Sequence, residues 1–202
     1  MSKRIVTVSR EFGSGGRTVG RMVAEQLGYK FYDRELIQMV AKQSGFALEF
    51  VEETGEYSTT SSLLYNLSMG GVYAQGGFSP DHLPPADKVQ ILQNNIIREL
   101  AEKEPCVIVG RSADYILRDR TDCLNVFVHA DKEFRIRRAV EEYGFPAKNI
   151  DKLIVKKDKA RASQYRHYTD QVWGMADNYH LTLDSGVLGL EKCCEIIVAL
   201  AK

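Results

Sequence analysis

Ile5-Val6-Thr7-Val8-Ser9-Arg10-Glu11-Phe12-Gly13-Ser14-Gly15-Gly16-Arg17-Thr18-Val19-Gly20 joins an apolar run to a glycine-rich turn and then to residues spaced as in a helix. Strand, turn and amphipathic helix in that order are the setting of a phosphate-binding loop. The common pattern is G-x-x-x-x-G-K-[ST]. Registered on Gly16 and Thr18, it places Arg17 at the lysine position and Glu11 at the first glycine position. Gly13, Gly15 and Gly16, with Ser14 among them, let the backbone approach phosphate oxygens and turn amide N–H groups inward. A helix beginning near Arg17 adds its positive end, and the Thr18 hydroxyl is placed to hold Mg²⁺. Arg17 keeps a cation beside a transferring phosphate, as a planar fork rather than a point charge. Glu11 repels phosphate unless it points outward, pairs with an arginine or reaches a metal-bound water. The alternative is a glycine-rich turn that holds no ligand.

Outward from that loop, the chain alternates short apolar runs with helical periodicity. Arg4–Ser9 reads as a buried strand and Arg17–Leu27 as a helix with Val19, Met22, Val23 and Leu27 on one face, ended by Gly28. Lys30–Tyr32 is a second strand, with Asp33-Arg34 at its carboxyl end. Helices follow at Glu35–Gln43 and Ala47–Glu53. Gly55–Asp87 is rich in Ser, Thr, Gly and Pro and reads as a long excursion, with one short helix at Ser62–Leu67. Lys88–Glu102 is helical again. Cys106–Val109 is a third strand, followed by Gly110-Arg111 and a helix over Ser112–Leu117. Leu124–Val128 is a fourth strand, Asp131–Tyr143 an arginine-dense helix and Ile150–His167 a long polar helix. His180–Leu183 and Leu190–Ala201 supply the last strand and helix. Continuous apolar strands alternating with helices specify an α/β fold with a parallel sheet covered on both faces. Ligands of such sheets bind beyond the carboxyl ends of the strands, where Ser9–Thr18, Asp33-Arg34 and Arg111 fall.

The 202 residues suit one domain, with or without an inserted sub-domain. Net charge is zero, which argues against a nucleic-acid partner. No apolar run approaches a membrane span, and Met1–Arg4 leads into too short a stretch for a secretory leader, so a cytoplasmic protein without a membrane partner is expected. Cys106, Cys123, Cys193 and Cys194 form no C-x-x-C pair and read as buried reduced thiols. Oligomeric state is not legible.

Taken together, "SREFGSGGRT" (9–18), "FYDRELI" (31–37), "VIVGRSADYIL" (107–117), "DKEFRIRRAVEEYG" (131–144), "KKDKARASQYRHYT" (156–169) and "YHLTLDSGVLGLEK" (179–192) resemble the cytidylate kinase-like family of P-loop nucleoside monophosphate kinases. That resemblance implies a P-loop three-layer sandwich built on a five-stranded parallel sheet, all within one kinase domain, 1–202. The core would be 1–43, 105–130 and 168–202. A monophosphate-binding insertion would span about 44–104, and a basic helical lid about 131–167. It implies ATP and Mg²⁺ as cofactors, small nucleotides as substrates, and transfer to CMP or dCMP. Gly13–Thr18 would hold ATP and Thr18 the metal. Arg17, Arg135, Arg138 and Arg161 would act on the moving phosphoryl group. Asp33, Arg34, Arg111, Asp158 and Arg161 would bind the acceptor. Other readings stand beside these roles. Arg135, Arg137 and Arg138 can be a solvated helix face, Asp158 and Arg161 an i,i+3 ion pair, and Asp33 a helix cap. Trp173 and Tyr179 read as packing groups. The chain departs from the family at Arg17 for lysine, Arg34 for serine, Ser112 for aspartate and Ile154 for arginine. Those changes leave open another small acceptor, or a nucleotide-binding regulator without turnover.

Overall fold

The computed structural model describes residues 2–56 and 83–202. The short helix expected at Ser62–Leu67 lies outside them, as does most of the Gly55–Asp87 stretch. Five strands, β1 (Ile5–Arg10), β2 (Lys30–Tyr32), β3 (Cys106–Val109), β4 (Cys123–His129) and β5 (Leu181–Asp184), pair in the order β2-β3-β1-β4-β5. Every pairing is parallel, and Ile5 stands between Cys106 and Cys123.

Alternation along each strand sends side chains to opposite faces. Ile5, Cys106 and Ile108 enter one core, whereas Val6, Val8, Val107, Val109, Val126 and Val128 enter the other. Helix α1 (Gly16–Leu27) covers the second face with Val19 and Val23, beside the closing helix α9 (Leu190–Ala201) with Cys193 and Ile197. The first face is covered by α2 (Arg34–Ser44), α3 (Leu48–Glu56), α4 (Pro85–Lys103) and the one-turn α5 (Ala113–Ile116). Proline at the first position of α4 is preset for a helix start, where its missing N–H costs nothing. Since α1 follows β1 on one face and α5 follows β3 on the other, a crevice opens between those two strand ends.

Two helices stand apart from the sheet. Helix α6 (Lys132–Glu141) is capped by Asp131, whose carboxylate accepts from the Phe134 amide at 2.8 Å. Helix α7 (Ile150–Thr169) packs on it through Ala139, Ile150 and Ile154, with Phe12 joining this third small core. Among the described residues the expected elements are present, with ends displaced by at most three residues. The additions are the 3-10 turn Ala176–Asn178 and α8 (Ser185–Leu188), single turns too short to show a period. All four cysteines are buried free thiols. Among the described residues no helix is long and apolar enough to cross a membrane.

Candidate active site

The turn after β1 is built inward. Gly13 and Gly15 take left-handed backbone at φ 85 and 80, a region nearly closed to other residues. A Cβ on Gly13 would sit 2.6 Å from the Arg135 carbonyl oxygen, and one on Gly15 2.6 Å from Leu190 Cδ2. Ser14 is fully buried. Its hydroxyl donates to the Glu11 carbonyl at 2.9 Å, and its own carbonyl accepts from Ser185 Oγ at 2.5 Å. Helix α1 then begins with Gly16, Arg17 and Thr18. Its first-turn amides have no intrahelical partner and form an anion-binding end. The Arg138 Nε is buried beside this turn without a hydrogen-bond partner, 3.3 Å from where a Gly15 Cβ would stand. The glycine turn, first-turn amides, an unsatisfied guanidinium nitrogen and the Thr18 hydroxyl are a donor set whose chemistry fits the phosphates of ATP with Mg²⁺.

Glu11 does not face the cradle. Its Oε2 accepts from the Ala130 amide at 3.2 Å and pairs with Arg135 Nη1 at 3.1 Å. Arg135 also donates from Nε to the Phe12 carbonyl at 2.8 Å and pairs with Asp158, whose other oxygen accepts from the Phe12 amide at 2.8 Å. Both polar groups of the Phe12 peptide are thus held by α6 and α7. Its ring lies edge-on to Phe145 and Tyr143 at 5.6 and 5.9 Å. Arg135 and Asp158 are engaged with each other and with the loop here, rather than turned toward the crevice. Among the readings of Glu11, the pairing with an arginine is the one the structure displays.

The candidate acceptor residues separate into two groups. Arg111 and Arg161 meet Arg10 in a small cavity of about 30 Å³ at the ends of β1 and β3, walled by Gln164, Tyr165 and Trp173. Arg161 donates to the Arg10 carbonyl at 3.3 Å, lies over the Phe12 ring and stands 3.9 Å from Asp158. The second group, Asp33 and Arg34, lies with Arg17 in a cavity of about 470 Å³ beside edge strand β2. Asp33 occupies the residue before α2 but makes no capping bond; it pairs with Arg17 Nε at 2.5 Å. Arg17 is half exposed and leans toward that pair.

The backbone around Arg111 is strained. Gly110, Arg111 and Ser112 run at φ 74, 59 and 53, three left-handed residues in succession. Strain of that kind, about 1–2 kcal/mol per non-glycine residue, persists where surrounding structure holds it and is frequent at functional sites. Here buried Gln93 of α4 donates to the Arg111 carbonyl at 3.4 Å. Beneath the cavity, buried Asp114 accepts from Ser9 Oγ at 3.2 Å and from Tyr165 Oη at 2.7 Å. Burial pushes its carboxyl above the usual carboxylate range, against the opposing pull of those hydrogen bonds. Burial and the Asp114 charge push the Tyr165 phenol up in turn. Sequence reading passed over Arg10, Asp114, Gln164, Tyr165 and Ser185. The Ser-Arg ending of β1 and the Gly-Arg ending of β3 carried the available signal. Trp173 packs edge-on to Phe127 at 5.2 Å and also walls the cavity.

A family model for the cytidylate kinase-like family matches residues 5–187. The chain belongs to that family. This cytidylate kinase-like protein is 26% identical over 200 residues to a cytidylate kinase of Archaeoglobus fulgidus, covering 96% of this chain and 92% of that one. A solved but uncharacterized protein from Eubacterium ventriosum superposes with a TM-score of 0.72 at 26% identity, over 98% of this chain and 97% of the other. A shikimate kinase from Bacteroides thetaiotaomicron shares the fold, with a TM-score of 0.52 at 14% identity and 97% coverage of both chains. The α/β kinase fold and the kinase-like family are thereby established for this protein.

Proposed function

We propose that the protein transfers the γ-phosphoryl group of Mg·ATP to a nucleoside monophosphate, with CMP or dCMP as the acceptor of choice. The carrying observation is the arginine-lined cavity at the end of β3, adjacent to the glycine cradle at the end of β1. Phosphoryl transfer rests on alignment and charge neutralisation rather than covalent help, and a phosphate acceptor needs no strong base. The amides of Gly13–Thr18 hold the ATP phosphates, and the Thr18 hydroxyl would hold Mg²⁺, which offsets charge on the outer phosphates. Arg111 and Arg161 hold the acceptor phosphate. Arg138 lies beside the cradle, and Arg17 leaves Asp33 to follow the transferring group. The basic helices of 131–167 close over ATP, excluding water; much of the expected acceptor-side insertion, 44–104, lies outside the described residues. The curated Archaeoglobus relative supports the cytidylate assignment.

A second reading has its own observation. Ile154 stands where the resemblance implies an arginine, and it is 1% exposed inside the α6–α7 core. With Asp158 turned to Arg135, the acceptor-binding set that the resemblance implies is incomplete. This favours another small acceptor on the same machinery. ADP release from Mg·ATP with CMP, dCMP, UMP, AMP and GMP, against an acceptor-free control, decides between them. Preference for CMP or dCMP is expected. Equal slow rates with all five would remove the cytidylate reading.

A further inference from the structure

Arg10 ends β1, and its side chain runs between two glycines. A Cβ on Gly16 would fall 2.5 Å from the Arg10 Cβ and 3.2 Å from its Cγ. A Cβ on Gly110 would fall 2.1 Å from its Nη1 and 3.0 Å from its Cζ. The stem therefore lies against the phosphate cradle and the head against the backbone that follows β3. A side chain at either glycine would displace Arg10, so both positions serve its path. Its head meets Arg111 and Arg161 at the cavity, whose other polar lining includes Ser9, Ser112 and Gln164. Arg161 also stands 3.9 Å from Asp158, so what the three guanidinium groups bring to the opening is forked hydrogen-bond donors. Their planar forks match phosphate oxygens.

We propose that Arg10 is a catalytic residue, binding the acceptor's phosphate on the side that faces ATP and offsetting the repulsion between the two phosphates as they approach. The proposal rests on the phosphotransferase reading above. In the step, an acceptor phosphate oxygen supplies the electron pair for a new bond to the γ-phosphorus. The bond from γ-phosphorus to the β–γ bridging oxygen breaks, and its pair leaves on ADP. A dianionic monophosphate and ATP⁴⁻ give a diphosphate trianion and ADP³⁻, so charge balances with no proton moved. Arg10 is the side chain whose stem touches the donor loop and whose head reaches the acceptor cavity, which places it where the group crosses.

The test compares Arg10→Met and Arg10→Lys with the wild type, using full-length protein, CMP and Mg·ATP. Arg10→Met should raise the acceptor KM at least tenfold and lower kcat while leaving the Mg·ATP KM within twofold. Arg10→Lys, which keeps the charge but not the fork, should fall between. A folded Arg10→Met variant with unchanged acceptor KM and kcat overturns the proposal. If that variant does not fold, Arg10→Lys decides: at least a threefold fall in kcat/KM for CMP is expected, and no fall overturns it. If the wild type transfers to no nucleotide, the phosphotransferase reading fails separately. Calorimetric binding of pyrophosphate then tests Arg10, with at least tenfold weaker binding by Arg10→Met expected. Equal binding, or no binding by the wild type, overturns the assignment.

Discussion

Arg135→Met probes the contact between the phosphate loop and the two helices above it. Arg135 is 8% exposed and meets Glu11, Asp158 and the Phe12 carbonyl. Methionine keeps much of the stem volume but leaves two carboxylates facing a gap without their cation. Removing one partner of a buried ion pair costs about 3–5 kcal/mol. Glu11 and Asp158 are 25% and 16% exposed, so water recovers part of that loss. Asp158 also keeps the Phe12 amide. The expected destabilisation is therefore at the lower end, about 3 kcal/mol. For a chain of this length that is a fall in Tm of roughly 6–12 °C. Urea unfolding gives the free energy, and titration with Mg·ATP reports whether the cradle loses affinity along with stability. Glu11→Gln should cost less, and the double variant should cost less than the sum, because the two share one ion pair. A loss below about 1 kcal/mol for Arg135→Met, the range of an exposed pair, would refute the reasoning, as would additive single effects.

Other outcomes follow from the same geometry. Arg17→Ala should fold normally yet lose about 10²–10³-fold in kcat, the scale of removing one electrostatic clamp; an unchanged rate in the ADP-release assay would remove Arg17 from the mechanism. Gly13→Ala combines left-handed backbone with a 2.6 Å approach to the Arg135 carbonyl, so a loss of ATP affinity together with a lowered Tm is expected. Titration with Mg·ATP that shows wild-type affinity would contradict the close approach. Asp114 has a carboxyl raised by burial in the folded protein. Its contribution to stability is therefore fully present below the unfolded value near 3.8 and is lost as pH rises through the folded value. Asp114→Asn removes that slope, so the stability difference between variant and wild type should shift in the variant's favour from pH 4 toward neutrality in urea unfolding. A difference independent of pH would show that Asp114 does not titrate as its burial implies.

The strands were readable because a parallel sheet buried on both faces needs no polar alternation. Ile5–Val8 and Cys106–Val109 are apolar almost throughout, and those side chains are indeed at most 2% exposed. The loop was readable because the left-handed backbone of Gly13 and Gly15 is a local requirement, although their close approaches to Arg135 and Leu190 are not. What was not legible is tertiary. Glu11 could not be assigned one of its readings from sequence, since Arg135 and Asp158 lie 124 and 147 positions away and reach the loop only after α6 and α7 pack on Phe12. Arg10 reads as the polar end of a strand; its path between Gly16 and Gly110 exists only once β1 and β3 are neighbours. Asp33 and Arg34 follow β2 just as Arg111 follows β3, yet edge placement of β2 sends them to a different cavity. Asp114 lies one turn past Arg111, and its burial follows from the direction in which α5 leaves the strained Gly110–Ser112 segment.

The pairing of β1 has a consequence for how the chain reaches this state. Its two neighbours begin at Cys106 and Cys123, so the strand that carries the loop has no sheet partner until β3 has been made, and its second only once β4 follows. At synthesis rates of about 5–20 residues per second, that leaves an apolar segment waiting on the order of ten seconds. Pairing then closes loops of more than a hundred residues, a slow step for any sheet. The nascent amino-terminal half is thus the stretch that a chaperone would shield, and the site is assembled only when the carboxyl-terminal half arrives.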